Sequence, residues 1–125
     1  MFDAIFAFFS SESFMPHGHC YLWRPSLVWI QLLSNLAIGG AYMAIAVTLV
    51  VLVRRVEDLP FRLVYLAFAI FIVTCGFTHF MDAYVIWNPQ YWVDGGIRII
   101  TAIASVGAIS VGEAPEAGAL FCARR

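Results

Sequence analysis

Long apolar segments dominate the pattern of the chain and predict helices that cross a membrane. Residues 26–53 and 63–80 contain no Asp, Glu, Lys or Arg. Residues 92–111 form a third apolar segment, which is the weakest because it contains Asp94 and Arg98. A helix crosses the hydrocarbon core of a bilayer with about 20 mostly apolar residues. We therefore predict an all-α membrane protein with three transmembrane helices.

The segments outside these helices are short. Residues 1–25 contain a brief apolar run without a basic residue before Arg24, which is a poor signal peptide. We predict instead a short interfacial helix on the outer leaflet. Pro60 is expected in the first turn of the second helix, where a missing backbone N–H costs nothing. The predicted division is an outer segment (1–25), a three-helix transmembrane domain (26–112) and a cytoplasmic tail (113–125) that is truncated or atypical.

Composition strengthens the membrane interpretation. Of the 125 residues, 62% are hydrophobic and only 12% are charged, whereas soluble domains average about 25% charged residues. The mean hydropathy is +0.86. So few charges cannot cover the surface of a small soluble enzyme, and we expect no enzymatic activity. A net charge of -1 also argues against a nucleic-acid partner, which would require a basic face.

The distribution of arginine predicts the orientation of the helices. Five of the seven basic residues lie between the first two helices or in the C-terminal tail: Arg54, Arg55, Arg62, Arg124 and Arg125. The loop from residue 87 to residue 94 contains none. Because loops rich in Lys and Arg stay in the cytoplasm, we expect the first loop and the tail inside and the N-terminus outside.

Several polar residues lie within the predicted spans, where they are costly and therefore candidates for function. Cys75 and His79 are four residues apart, and Asp82 follows His79 by three. This spacing places all three on one face of the second helix. At ~1.5 Å per residue, His79 lies about 10 Å and Cys75 about 17 Å below the outer end of that helix. Asn35 and Arg98 fall at similar depths on the other helices. Each has a simpler explanation: cysteine and histidine pack in cores, and asparagine bonds across helices.

A thiolate together with an imidazole suits Cu(I) or Zn. Two ligands per chain are too few for a closed tetrahedral zinc site, but a symmetric dimer would supply four. Asp82 could accept the second N–H of His79 or pair with Arg98, and the sequence leaves this choice open.

A second cluster of candidate metal ligands precedes the first helix. His17, His19 and Cys20 form the pattern H-x-H-C, which could hold copper outside the membrane. The alternative is a turn whose polar side chains face water.

Several stretches together resemble the membrane sensor domain of ethylene receptors, and most closely the bacterial sensor kinases that share this domain. They are FMPHGHCYLW at 14–23, LSN at 33–35, LPFR at 59–62 and IVTCGFTH at 72–79. The resemblance implies a homodimeric three-helix sensor, here in the bacterial inner membrane. It also implies that Cys75 and His79 hold Cu(I), which binds ethylene or another small apolar ligand, and that Tyr42 and Ile45 support the site. Arg98 stands where the plant receptors have lysine.

The chain departs from the family pattern at three places. Asn35 replaces an acid, and Ala46 replaces a proline. After about residue 106 the family continues into signalling modules, whereas this sequence turns to GAISVGEAPE. We therefore expect the signal to pass through a separate histidine kinase or response module. The alternatives are a copper-handling membrane protein, a haem-binding subunit, for which His79 is the single intramembrane histidine, and an inactive truncated receptor fragment.

Overall fold

The computed structural model describes Phe2, Phe6, Ser10 and residues 14–57 and 60–123, with side chains through residue 114. These residues form three α-helices: α1 (Pro25–Arg55), α2 (Arg62–Tyr84) and α3 (Tyr91–Ala123). The described residues include no strand. All three helices are long and apolar enough to cross a membrane, over Pro25–Arg55, Arg62–Tyr84 and Tyr91–Ala114. The prediction of an all-α protein with three membrane-spanning helices is confirmed.

The turn between α1 and α2 differs from the predicted one. Pro60 lies in the turn before α2 rather than in its first helical turn, and Phe61 has a left-handed backbone with φ of 58°. The guanidinium of Arg62 donates a hydrogen bond of 2.9 Å to the carbonyl oxygen of Val53. The prediction for Pro60 was wrong because the chain reverses sharply here. The hydrogen bond from Arg62 to the end of α1 stabilises this turn, and α2 begins two residues after Pro60.

The third helix extends beyond the apolar segment that predicted it. The backbone remains helical to Ala123, so the end of the apolar segment near residue 111 is not the end of the helix. Residues 114–123 are rich in alanine, the best helix former, and Pro115 does not interrupt them. Thus α3 includes most of the predicted tail.

Helix α2 is the centre of the bundle. It packs against both α1 and α3, whereas α1 and α3 have little contact with each other. The helices α1 and α2 approach most closely at Gly39 and Gly76: a Cβ on Gly39 would lie 3.2 Å from the carbonyl oxygen of Gly76. Small residues at such a crossing let two helix backbones come together in a membrane. This crossing determines which side chains of α1 face α2.

The segment before α1 is attached to the C-terminal end of α2. A 3-10 turn at His17–His19 donates backbone hydrogen bonds from His17 to Val85 and from Gly18 to Ile86, each of 2.9 Å. Carbonyl groups at a helix end lack partners within the helix, and the turn supplies them. The predicted interfacial helix falls mostly on residues outside the described ones.

Candidate functional site

His79 is held by a side chain of the neighbouring helix. Its Nδ1 lies 2.9 Å from Oδ1 of Asn35 on α1. A carbonyl oxygen of an amide only accepts hydrogen bonds, so this bond places the proton on Nδ1 of the imidazole. The lone pair of a neutral His79 is then on Nε2, the nitrogen that a metal would use. Asn35 thus orients the ring and selects its tautomer.

Tyr42 completes the surroundings of the imidazole on α1. Its ring meets the ring of His79 edge to face, with centroids 5.5 Å apart and planes at 76°. Both Tyr42 and Asn35 can reach His79 because Gly39, which lies between them in sequence, lets α1 approach α2 at Gly76.

Cys75 lies one turn before His79 on the same face of α2. Its thiol is free and half-buried. The hydroxyl of Thr78 donates a hydrogen bond of 2.6 Å to the backbone carbonyl of Cys75 and leaves the sulfur uninvolved. Within the described part of the chain, the sulfur has no hydrogen-bond partner.

Asp82 binds Arg98 rather than His79. The guanidinium of Arg98 donates one hydrogen bond to Asp82 through Nη2 and a second, of 2.9 Å, to Asp94 through Nε. The side chain of Arg98 is 52% exposed, whereas that of Asp94 is only 14% exposed. One arginine therefore joins α2 to α3 and neutralises one of two carboxylates.

Three residues of the predicted polar layer, Asn35, Asp82 and Arg98, line one cavity, whereas Cys75 and His79 are not part of its lining. The cavity, about 320 Å³, is lined by nine residues: His17, Tyr21, Gln31, Asn35, Asp82, Val85, Tyr91, Asp94 and Arg98. Its lining comes from all three helices and from the segment that precedes α1. We call it the outer cavity. It connects the Asp82–Arg98–Asp94 group with Asn35, the partner of His79.

The predicted outer metal cluster is not assembled as a ligand set. The ring of His17 meets that of Tyr21 at 5.3 Å, the ring of His19 meets that of Trp23 at 5.4 Å, and Cys20 is exposed. Among the described residues, no three His, Cys, Asp or Glu side chains are grouped so that they could hold a metal. Each histidine instead packs against an aromatic neighbour.

Sequence reasoning missed three residues that shape the site. Gly39 and Gly76 bring the helices together, and Asp94 shares Arg98 with Asp82. Glycines within apolar helices are a recognisable signal of close helix packing, and the i, i+4 spacing of Asp94 and Arg98 is another. By contrast, Ile45, expected near the site, is 47% exposed.

A comparison with protein families identifies the membrane-spanning part of the chain. The profile described as the ethylene receptor 1-like N-terminal domain matches residues 26–113. The chain belongs to this family. The match covers the membrane-spanning parts of α1, α2 and α3, together with Asn35, Cys75 and His79. No match was found among curated proteins or among solved structures. The chain is thus an integral membrane protein with a receptor-type sensory domain.

The donor atoms of the site suit the metal that the resemblance implies. A thiol and an imidazole with a free Nε2 lie one turn apart on α2, and thiolate with imidazole is a donor set that Cu(I) favours. The chain offers two such ligands, Cys75 and His79. The chemistry of these two residues therefore fits Cu(I).

Proposed function

We propose that the chain is a sensory domain that binds Cu(I) through Cys75 and His79 and, with it, ethylene or another small apolar ligand. The observation that supports this most directly is the hydrogen bond from His79 to Asn35, because it leaves Nε2 free for a metal. Bound Cu(I), a soft cation, would supply the affinity for an unsaturated hydrocarbon. Asn35 orients His79 through this hydrogen bond. The domain has no enzymatic activity of its own.

A homodimer is part of the proposal. Two ligands per protomer are too few for a closed four-coordinate site, and a twofold axis would bring two sulfurs and two nitrogens to one site. The face of α3 that carries Ile99, Ile103 and Val106 is more than 60% exposed at these positions. This apolar surface is compatible with either lipid or a partner helix.

Signals would leave the site through α2 and α3. Arg98 binds Asp82 of α2 and Asp94 of α3, so a shift of α2 at His79 moves both helices together. The cytoplasmic end of α3 would then act on a histidine kinase or a response module in another chain. This coupling requires that the occupied and the free site favour different helix packings.

The test is copper analysis of the purified chain, loaded with Cu(I) under anaerobic conditions in lipid nanodiscs. We expect one copper ion per pair of protomers in the wild type. Cys75→Ser and His79→Ala should each lose this copper. Cys20→Ser is the matched control, because Cys20 is an exposed cysteine outside the three helices. Replacing Asn35 with leucine should weaken Cu(I) binding about 10–100-fold, as expected for the partner of a metal-binding histidine, and aspartate should restore it.

Two results would overturn the proposal. Copper retained by Cys75→Ser as well as by the wild type would exclude the α2 ligands. Absence of copper from the folded wild-type protein would favour an inactive receptor fragment. If copper binds as expected, binding of radiolabelled ethylene is measured next. Ethylene binding by the wild type and its loss in Cys75→Ser would support the sensory role.

A copper-handling protein is the second candidate. The outer cavity favours it, since His17 and Asn35 line the same space, which could lead a cation from the segment before α1 toward His79. Copper lost from Cys20→Ser or His17→Ala while Cys75→Ser retains it would support this function, as would metal flux into vesicles.

A further inference from the structure

An apolar groove runs along α1 toward its C-terminal end and is separate from the copper site proposed above. It encloses about 240 Å³ and is lined by Met43, Val47 and Val50 of α1 and by Val73 of α2. Its lining also includes Ala46, which is small and buried. We call this space the α1 groove. Val47 is 63% exposed, so the groove is open toward the surrounding bilayer.

A cation lies at one end of the α1 groove. Arg54 is part of its lining, and no carboxylate among the described residues lies within ion-pair distance of Arg54. The nearby Arg62 is already engaged, because its guanidinium binds the carbonyl oxygen of Val53. The groove therefore combines an apolar wall with one positive charge, for which the described residues supply no counter-ion.

The length of the groove matches one leaflet of a bilayer. From Met43 to Arg54 the helix rises about 16 Å at ~1.5 Å per residue. Half of a hydrocarbon core of about 30 Å is about 15 Å. Arg54 thus lies at headgroup level when Met43 is near the middle of the bilayer. An acyl chain lying along α1 would have its phosphate beside the guanidinium.

We propose that the α1 groove binds one acyl chain of an anionic phospholipid whose headgroup pairs with Arg54. The distribution of arginine predicts that this end of α1 faces the cytoplasmic leaflet, which carries the anionic lipids. A second copy of this chain is a poorer occupant. A twofold contact through the groove would bring Arg54 and Arg55 of both copies together at the same depth, and like charges repel.

The test is native mass spectrometry of the protein released from nanodiscs of phosphatidylglycerol and phosphatidylcholine with identical acyl chains, mixed in equal amounts. We expect one retained phosphatidylglycerol per protomer. Arg54→Gln should lower its occupancy about fivefold, the effect of one cation near an anionic membrane surface. The matched control is Arg55→Gln, which removes the neighbouring charge but not a residue of the groove.

A second pair of variants tests the apolar part of the site. Val47→Phe places a larger side chain in the groove, whereas Leu52→Phe makes a similar change at an exposed position of α1 outside its lining. We expect lipid loss in the first and retention in the second. Three results would overturn the proposal. They are equal retention of phosphatidylglycerol and phosphatidylcholine, equal effects of Arg54→Gln and Arg55→Gln on lipid occupancy, and displacement of the bound lipid by soluble glycerol phosphate. A lipid-free dimer that Val47→Phe dissociates would assign the groove to a second copy instead.

Discussion

Replacing Gly39 with alanine should push α1 away from α2 and weaken the bundle. The new Cβ would lie 3.0 Å from a ring carbon of Phe80 and 3.2 Å from the carbonyl oxygen of Gly76. The ring could turn, but the backbone oxygen could not, so the helices would have to separate by a few tenths of an ångström. Overpacking of this kind costs about 1–3 kcal/mol.

The neighbouring glycine provides the control. A Cβ on Gly40 would meet no atom within 4 Å, so alanine at position 40 should only gain helix propensity, about 1 kcal/mol. Gly39→Ala receives the same gain and should therefore be about 1–3 kcal/mol less stable than Gly40→Ala. Circular dichroism during SDS titration in mixed micelles measures the difference. Equal unfolding free energies for the two variants would refute the assignment of Gly39 to the helix crossing.

The remaining predictions concern the end of the bundle at which α1 begins. Gly18→Ala should release the segment before α1 from the end of α2, because the new Cβ would lie 2.9 Å from the carbonyl oxygen of Ile86. Limited proteolysis should then cleave this segment faster than in the wild type. An unchanged cleavage rate would contradict its attachment to α2. Arg98→Gln should cost about 1–2 kcal/mol because it leaves two carboxylates without their partner, whereas Asp82→Asn leaves Arg98 paired with Asp94 and should cost less. The same SDS titration compares them, and the reverse order would contradict the shared arginine.

The sequence alone determined the helices and the face of the candidate ligands. Apolar length is a property of a contiguous segment, and it predicted all three membrane-spanning helices. The spacing of Cys75 and His79 predicts one shared face because an α-helix repeats every 3.6 residues. Neither inference depends on how the helices are arranged. The resemblance to ethylene receptors likewise depended on local motifs, and the family match over residues 26–113 confirms it.

The tertiary structure decided which polar groups meet. The sequence left Asp82 between His79 and Arg98, and the structure pairs it with Arg98 while Asn35 takes His79. That choice depends on the distance and rotation between helices, which the close approach of Gly39 and Gly76 sets. These are properties of two helices together, so no pattern within either helix could have specified them.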